Sequence, residues 1–122
     1  MRRSLRASAA LIAVVPVLAL AACGDEQQPE DGPEQKPLTI DITFENGTVE
    51  PSGERVEVAV DQPIELVVEA DSPGEIHVHS EPEQEFEYAE GTTTLPLTID
   101  KPGVVDVESH DLEQVIVQLE VE

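Results

Sequence analysis

Sulfur is nearly absent from this sequence, which has one cysteine, Cys23, and one methionine, Met1. A single cysteine forms no internal disulfide and offers no thiolate pair to clasp a metal. Large aromatics are almost as scarce: there is no tryptophan, one tyrosine and two phenylalanines, so any core must be built from aliphatic side chains. Cations are few as well, with six Lys and Arg against 27 Asp and Glu. Three of the six are Arg2, Arg3 and Arg6, so beyond Cys23 only Lys36, Arg55 and Lys101 face all 27 acidic residues, for a charge of −24. Such a surface repels nucleic acid and anionic headgroups, and suits high ionic strength or cationic partners. No nucleophile–base pair or phosphate loop stands out, and carboxylates are too abundant for any one pair to mark a catalytic site, so no enzyme is predicted.

What is present at the N-terminus is a layout. Three arginines precede the apolar run Leu11 to Leu20, and "LAAC" (Leu20 to Cys23) follows. The run falls short of the roughly 20 residues that span a bilayer, and its setting is that of a secretory signal peptide over residues 1–22. "LAAC", followed by Gly24 and acidic residues, resembles the bacterial lipobox. The resemblance implies cleavage before Cys23, diacylglycerol on its sulfur and acylation of its nitrogen. The lipid would hold the protein on the outer face of the plasma membrane, in the cell envelope, with the membrane itself as a partner. After Cys23, "GDEQQPEDGPEQKP" (Gly24 to Pro37) has nothing apolar beyond glycine and proline, which predicts a disordered tether over residues 23–37.

From Leu38 the pattern takes on period two. "LTIDITF" alternates aliphatic and polar residues, as do "VEVAV", "IELVVEA", "EIHVH", "TLPLTI", "VVDVES" and "QVIVQLEV". Clusters such as "ENGT", "DQP", "DSPG" and "DKPG" separate them as turns. Residues 38–122 are therefore predicted to form one all-β domain, a Greek-key β-sandwich of about seven strands with no helix. Pro96 marks its strand as an edge or an irregular one. Glu81 to Thr93, with Phe86 and Tyr88, reads as a long insertion between strands.

The three histidines are the candidate chemistry. In "EIHVH" the alternation puts Glu75, His77 and His79 on the face opposite Ile76 and Val78. Imidazoles two apart on a strand, about 6.5–7 Å at Cα, can converge on one ion at bond lengths of about 2 Å. In "PGVVDVESHD", His110 shares its face with Asp106 and Glu108, away from Val105 and Val107. His77, His79 and His110 are thus the candidate metal ligands if their strands are neighbours, with Glu75 and Glu108 as outer hydrogen-bond partners.

"EIHVH" (75–79), "DKPGVVDVESHD" (100–111) and "QLEV" (118–121) together resemble the cupredoxins, a family of copper proteins, and most closely their divergent exported bacterial members. That resemblance implies a cupredoxin-like sandwich, with copper, or zinc, held by His77, His79 and His110. It also shows a departure. Blue-copper sites use a cysteine thiolate and an axial methionine, whereas Ser109 stands at or near the cysteine position and Val115 and Ile116 where methionine is expected. Electron transfer of the blue-copper kind is excluded on that ground. Copper–zinc superoxide dismutase, another Greek-key sandwich, needs more histidines than the three present. The expectation is a lipid-anchored metal-binding protein for metal capture or delivery. The alternative is a metal-free scaffold sandwich that contacts another envelope protein through its acidic faces and the Glu81–Thr93 segment.

Overall fold

The alternation in "LTIDITF" becomes the first strand, β1 (Leu38–Glu45), with Ile40, Ile42 and Phe44 buried and Asp41 and Thr43 turned to solvent. The computed structural model describes residues 35–122. The signal-peptide segment, Cys23 and the tether through residue 34 lie outside the described residues. At the tether's end, Gln35 Nε2 donates to Val60 O at 3.3 Å and Gln62 Nε2 to Lys36 O at 3.0 Å, so these two residues are hydrogen-bonded to the domain.

Asn46 and Gly47 both take left-handed backbone angles, φ 52° and 74°, between the paired residues Glu45 and Thr48. This two-residue turn matches the twist of a hairpin and pairs β1 with the short β2 (Thr48–Glu50). The strands that follow are β3 (Glu54–Val58), β4 (Ile64–Ala70), β5 (Gly74–Val78), β6 (Gln84–Tyr88), β7 (Gly91–Leu97), β8 (Gly103–Ser109) and β9 (Gln114–Val121). They form a four-stranded sheet in the order β2-β1-β4-β7 and a five-stranded sheet in the order β3-β9-β8-β5-β6. Pairing is parallel for β1–β4 and β3–β9 and antiparallel elsewhere. The domain is an all-β sandwich, as expected, and the described residues contain no helix.

Two of its nine strands correct the sequence reading. β2 is only three residues long, too short to show a period. β6 lies inside the segment expected to be an insertion, which the structure instead divides between β6 and the start of β7. Its sequence "QEFEY" does alternate, but the glutamates around Phe86 and Tyr88 hide the pattern, and at the sheet edge Phe86 is only half-buried. Pro96 stands on β7, at the edge of the four-stranded sheet, where strands tolerate proline.

The inner faces meet in an aliphatic core. Ile42, Leu66 and Val68 from one sheet face Ile76, Val78, Val107, Ile116 and Leu119 from the other, each less than 2 % exposed. Each such side chain contributes about 1.5–3 kcal/mol by leaving water. Phe44 and Tyr88 join the sheets by stacking, with ring centroids 4.8 Å apart and planes at 17°. Gly74 lies opposite Tyr88 in the β5–β6 register, and a Cβ there would press into the Tyr88 hydroxyl and the Asp111 carboxylate. Burial, then the nearby Asp111 and Asp71 carboxylates, push the Tyr88 phenol above its ordinary pKa.

Candidate metal centre

Strand periodicity turns every second residue of β5, β6 and β8 outward, and the register sets these residues in rows. His77 on β5 lies directly between Glu85 on β6 and Glu108 on β8. Glu75 lies opposite Glu87, and the His110 amide donates to Glu75 O at 3.0 Å, so His110 completes that row. At the other end the His79 amide donates to Asp106 O at 2.9 Å, and Glu83 flanks the His79 ring. The result is a three-by-three grid in which three positions are histidine and six are carboxylate. Below it, Ile76, Val78 and Val107 fill the core.

The grid is not electrically balanced. Among the described residues Arg55 pairs with Glu120 and Lys101 approaches Glu81, and neither reaches a grid carboxylate. The charge therefore falls on the imidazoles. His77 Nε2 is hydrogen-bonded to Glu75, its Nδ1 lies 3.6 Å from Glu83 Oε1, and Glu85 Oε1 is 3.9 Å from Nε2. The hydrogen bond to Glu75 raises the His77 pKa above its ordinary value; partial burial opposes the rise, and the fields of Glu75, Glu85 and Glu83 add to it.

The structure brings some of the expected ligands together and not others. The His77 and His110 rings stack, with centroids 4.6 Å apart and planes at 26°. Glu75, His77 and His110 each offer a ligand atom within 4.8 Å of the other two. His79 is turned away from this group. Its ring centroid is 6.4 Å from that of His77, and its Nε2 is 2.8 Å from Glu108 Oε2. Glu108, expected to serve a ligating ring from outside, thus holds His79, while Glu75 stands among the ligand atoms themselves. A second group, His77, Glu83 and Glu85, also has its ligand atoms within 4.8 Å of one another. Sequence reasoning missed Glu83 and Glu85 because it left β6 undrawn. The signal that could have found them is the alternation of "QEFEY" itself.

Ser109, at or near the position where blue-copper proteins carry their cysteine, is fully buried. Its Oγ accepts a hydrogen bond from Leu112 N at 3.3 Å and helps close the turn into β9. Of the two positions where an axial methionine is expected, Ile116 is fully buried and Val115 half-buried. Neither supplies a thioether, so a thiolate–thioether copper centre does not fit these residues.

No known family profile and no curated protein matches the chain. Solved structures do. Auracyanin A, a "blue" copper protein from the green thermophilic photosynthetic bacterium Chloroflexus aurantiacus, superposes with a TM-score of 0.55 at 14% identity, over 71% of this chain and all of its own (100%). The Cu(I) form of an amicyanin variant matches with a TM-score of 0.52 at 14% identity, over 69% of this chain and 82% of its own. The reduced Cu(I) form of another amicyanin variant at pH 4 matches with a TM-score of 0.52 at 13% identity over the same shares, 69% and 82%. The described domain therefore has a cupredoxin-like fold.

Proposed function

We propose that this protein is a lipid-anchored, cupredoxin-like protein of the cell envelope that binds a divalent transition metal, copper or zinc, for capture or delivery. In this reading it is neither an enzyme nor a blue-copper electron carrier. The observation that supports it is the convergence of ligand atoms from Glu75, His77 and His110 on an open sheet face. Two imidazole nitrogens and a carboxylate oxygen suit Cu(II) and Zn(II), and the set lacks the soft sulfur that favours Cu(I). An exposed position lets an ion arrive and leave by ligand exchange, which transport requires and a permanent cofactor does not. Attachment rests on "LAAC" and Cys23.

Two measurements test the reading. Titration of the full protein in detergent with Cu(II) and with Zn(II) is expected to show one stoichiometric site that His110→Ala weakens strongly. Unchanged binding in that variant would sink the site. Fractionation of cells expressing Cys23→Ser is expected to move the protein out of the membrane fraction; retention there would refute the anchor.

A further inference from the structure

Both ligand groups on the grid contain the same ring. His77 belongs to Glu75–His77–His110 and to His77–Glu83–Glu85, and its Nε2 faces Glu75 on one side and Glu85, at 3.9 Å, on the other. One imidazole nitrogen binds one ion, so the two groups cannot both be filled through that atom. Through Nε2 they are alternatives for a single ion, while Glu83 Oε1 lies nearest the other ring nitrogen, Nδ1, at 3.6 Å.

The two groups also differ in their access to water, although His110 in the first is itself exposed. The Glu75 and His77 side chains are 32% and 18% exposed, whereas Glu83 and Glu85, on and beside the edge strand β6, are 49% and 64% exposed. A hydrated cation drawn by the unneutralised carboxylates meets Glu83 and Glu85 first. Carboxylates are hard ligands that exchange readily, and imidazoles are the stronger ligands for copper and zinc.

We propose that His77, Glu83 and Glu85 form a capture position for a divalent transition-metal ion, and that the ion then passes to a holding position at Glu75, His77 and His110. The ion stays on the His77 ring, held at Nε2 in the holding position, and exchanges the Glu83 and Glu85 oxygens for the Glu75 oxygen and a His110 nitrogen. No electron moves, and any proton displaced from an imidazole goes to solvent. The proposal rests on the metal-binding reading above and assigns a kinetic role to residues that reading leaves unused.

A capture position on the path accelerates arrival and departure alike, which separates it from simple electrostatic attraction. The test is stopped-flow mixing of the full protein with Cu(II), release to a chelator, and the electron paramagnetic resonance spectrum of the loaded form. The Glu83→Gln/Glu85→Gln variant is expected to lower the association and dissociation rates together, each by about tenfold or more, a size that local focusing of charge can reach. Its equilibrium affinity should stay within about threefold of the parent's, and the spectrum should not change, because the holding ligands are intact. The control, Glu87→Gln/Asp106→Asn, removes the same charge from the same grid at residues in neither group. It should slow association less and leave dissociation unslowed.

An unchanged or faster dissociation rate in Glu83→Gln/Glu85→Gln would overturn the capture position while leaving the holding site standing. So would an altered spectrum, which would make those glutamates resting ligands, and so would two ions bound at once. Failure of the parent protein to bind any Cu(II) would overturn both readings.

Discussion

The two outer faces of the sandwich carry the same kind of charge in different company. On the four-stranded sheet Glu65 lies between Thr39 and Pro96, Glu69 between Thr43 and Thr92, and Asp41 opposite Val67. Each carboxylate there is insulated by uncharged neighbours and simply keeps the sheet in water. On the five-stranded sheet His77 lies between Glu85 and Glu108, and Glu75 faces Glu87 across the strands. Like charges directly opposite on a sheet repel, at a cost of about 0.2–1 kcal/mol per pair. Acidity is common to both faces and explains solvation; the placement of imidazoles among carboxylates occurs on one face and creates a site.

The largest expected effect comes from removing the ring at the centre of that site. His77→Ala deletes the ligand shared by both groups and should weaken Cu(II) binding by more than about 100-fold, beyond the loss seen for an outer partner. That is about 2.8 kcal/mol of binding free energy. Glu65→Gln/Glu69→Gln on the opposite face should leave affinity within about twofold, since charges beyond a Debye length are largely screened. Competition titration against a chelator measures both, and a loss in Glu65→Gln/Glu69→Gln with none in His77→Ala would mean that net charge alone binds the metal.

Gly74→Ala attacks the support of the grid. The new methyl group must displace Tyr88 and Asp111, and overpacking of this kind costs about 1–3 kcal/mol. Tyr88 anchors β6 by its stack on Phe44, so the strand that carries Glu85 and Glu87 should shift with it. Denaturant unfolding reads the stability loss, and stopped-flow binding reads the slower capture. A variant as stable as the parent would show that Tyr88 has room to move.

Much of this molecule is written in its period-two runs. β1, β4 and β5 can be read directly because their aliphatic residues alternate cleanly with polar ones and each buries a full face. β6 is obscured because an edge strand needs only one well-buried residue, Tyr88, and glutamates surround it. The same effect divides the site. Alternation places His77, His79 and Glu75 on one face from sequence alone, since side-chain direction in a strand is a local property. Which ring meets which carboxylate depends on the register between strands distant in sequence. Only the β5–β8 pairing turns His79 toward Glu108, and only the β5–β6 pairing brings Glu83 and Glu85 to His77.

The pH response should separate the faces in the metal-free protein. The His77 pKa is raised in the folded state, chiefly by its hydrogen bond to Glu75. A group of this kind contributes stability that is fully present below its unfolded value, about 6.5, and is lost as pH rises through the folded value. The difference in melting temperature between the parent and His77→Gln, measured with a chelator present, should therefore be largest at acid pH and shrink from about pH 6.5 upward. With Cu(II) in excess the trend should reverse, because protons compete with the metal for the same ring. A difference independent of pH in both conditions would mean that His77 and Glu75 are not coupled in solution.

The smallest effect isolates the repulsion itself. Glu87 faces Glu75 across the strands, whereas Glu69 faces only threonines. Neutralising the first should stabilise the metal-free domain by about 0.2–1 kcal/mol, and neutralising the second should change nothing measurable. Glu87→Gln should therefore raise the unfolding midpoint at low salt while Glu69→Gln does not. The gain should fade near 1 M salt, where the screening length falls to about 3 Å. If the two substitutions behave alike at low salt, solvent and the protonated His77 already neutralise the grid, and its carboxylates hold no unmet demand for a cation. A gain confined to Glu87→Gln, erased equally by salt and by saturating Cu(II), would show that a bound metal relieves the same repulsion, and that the grid is less stable empty than filled.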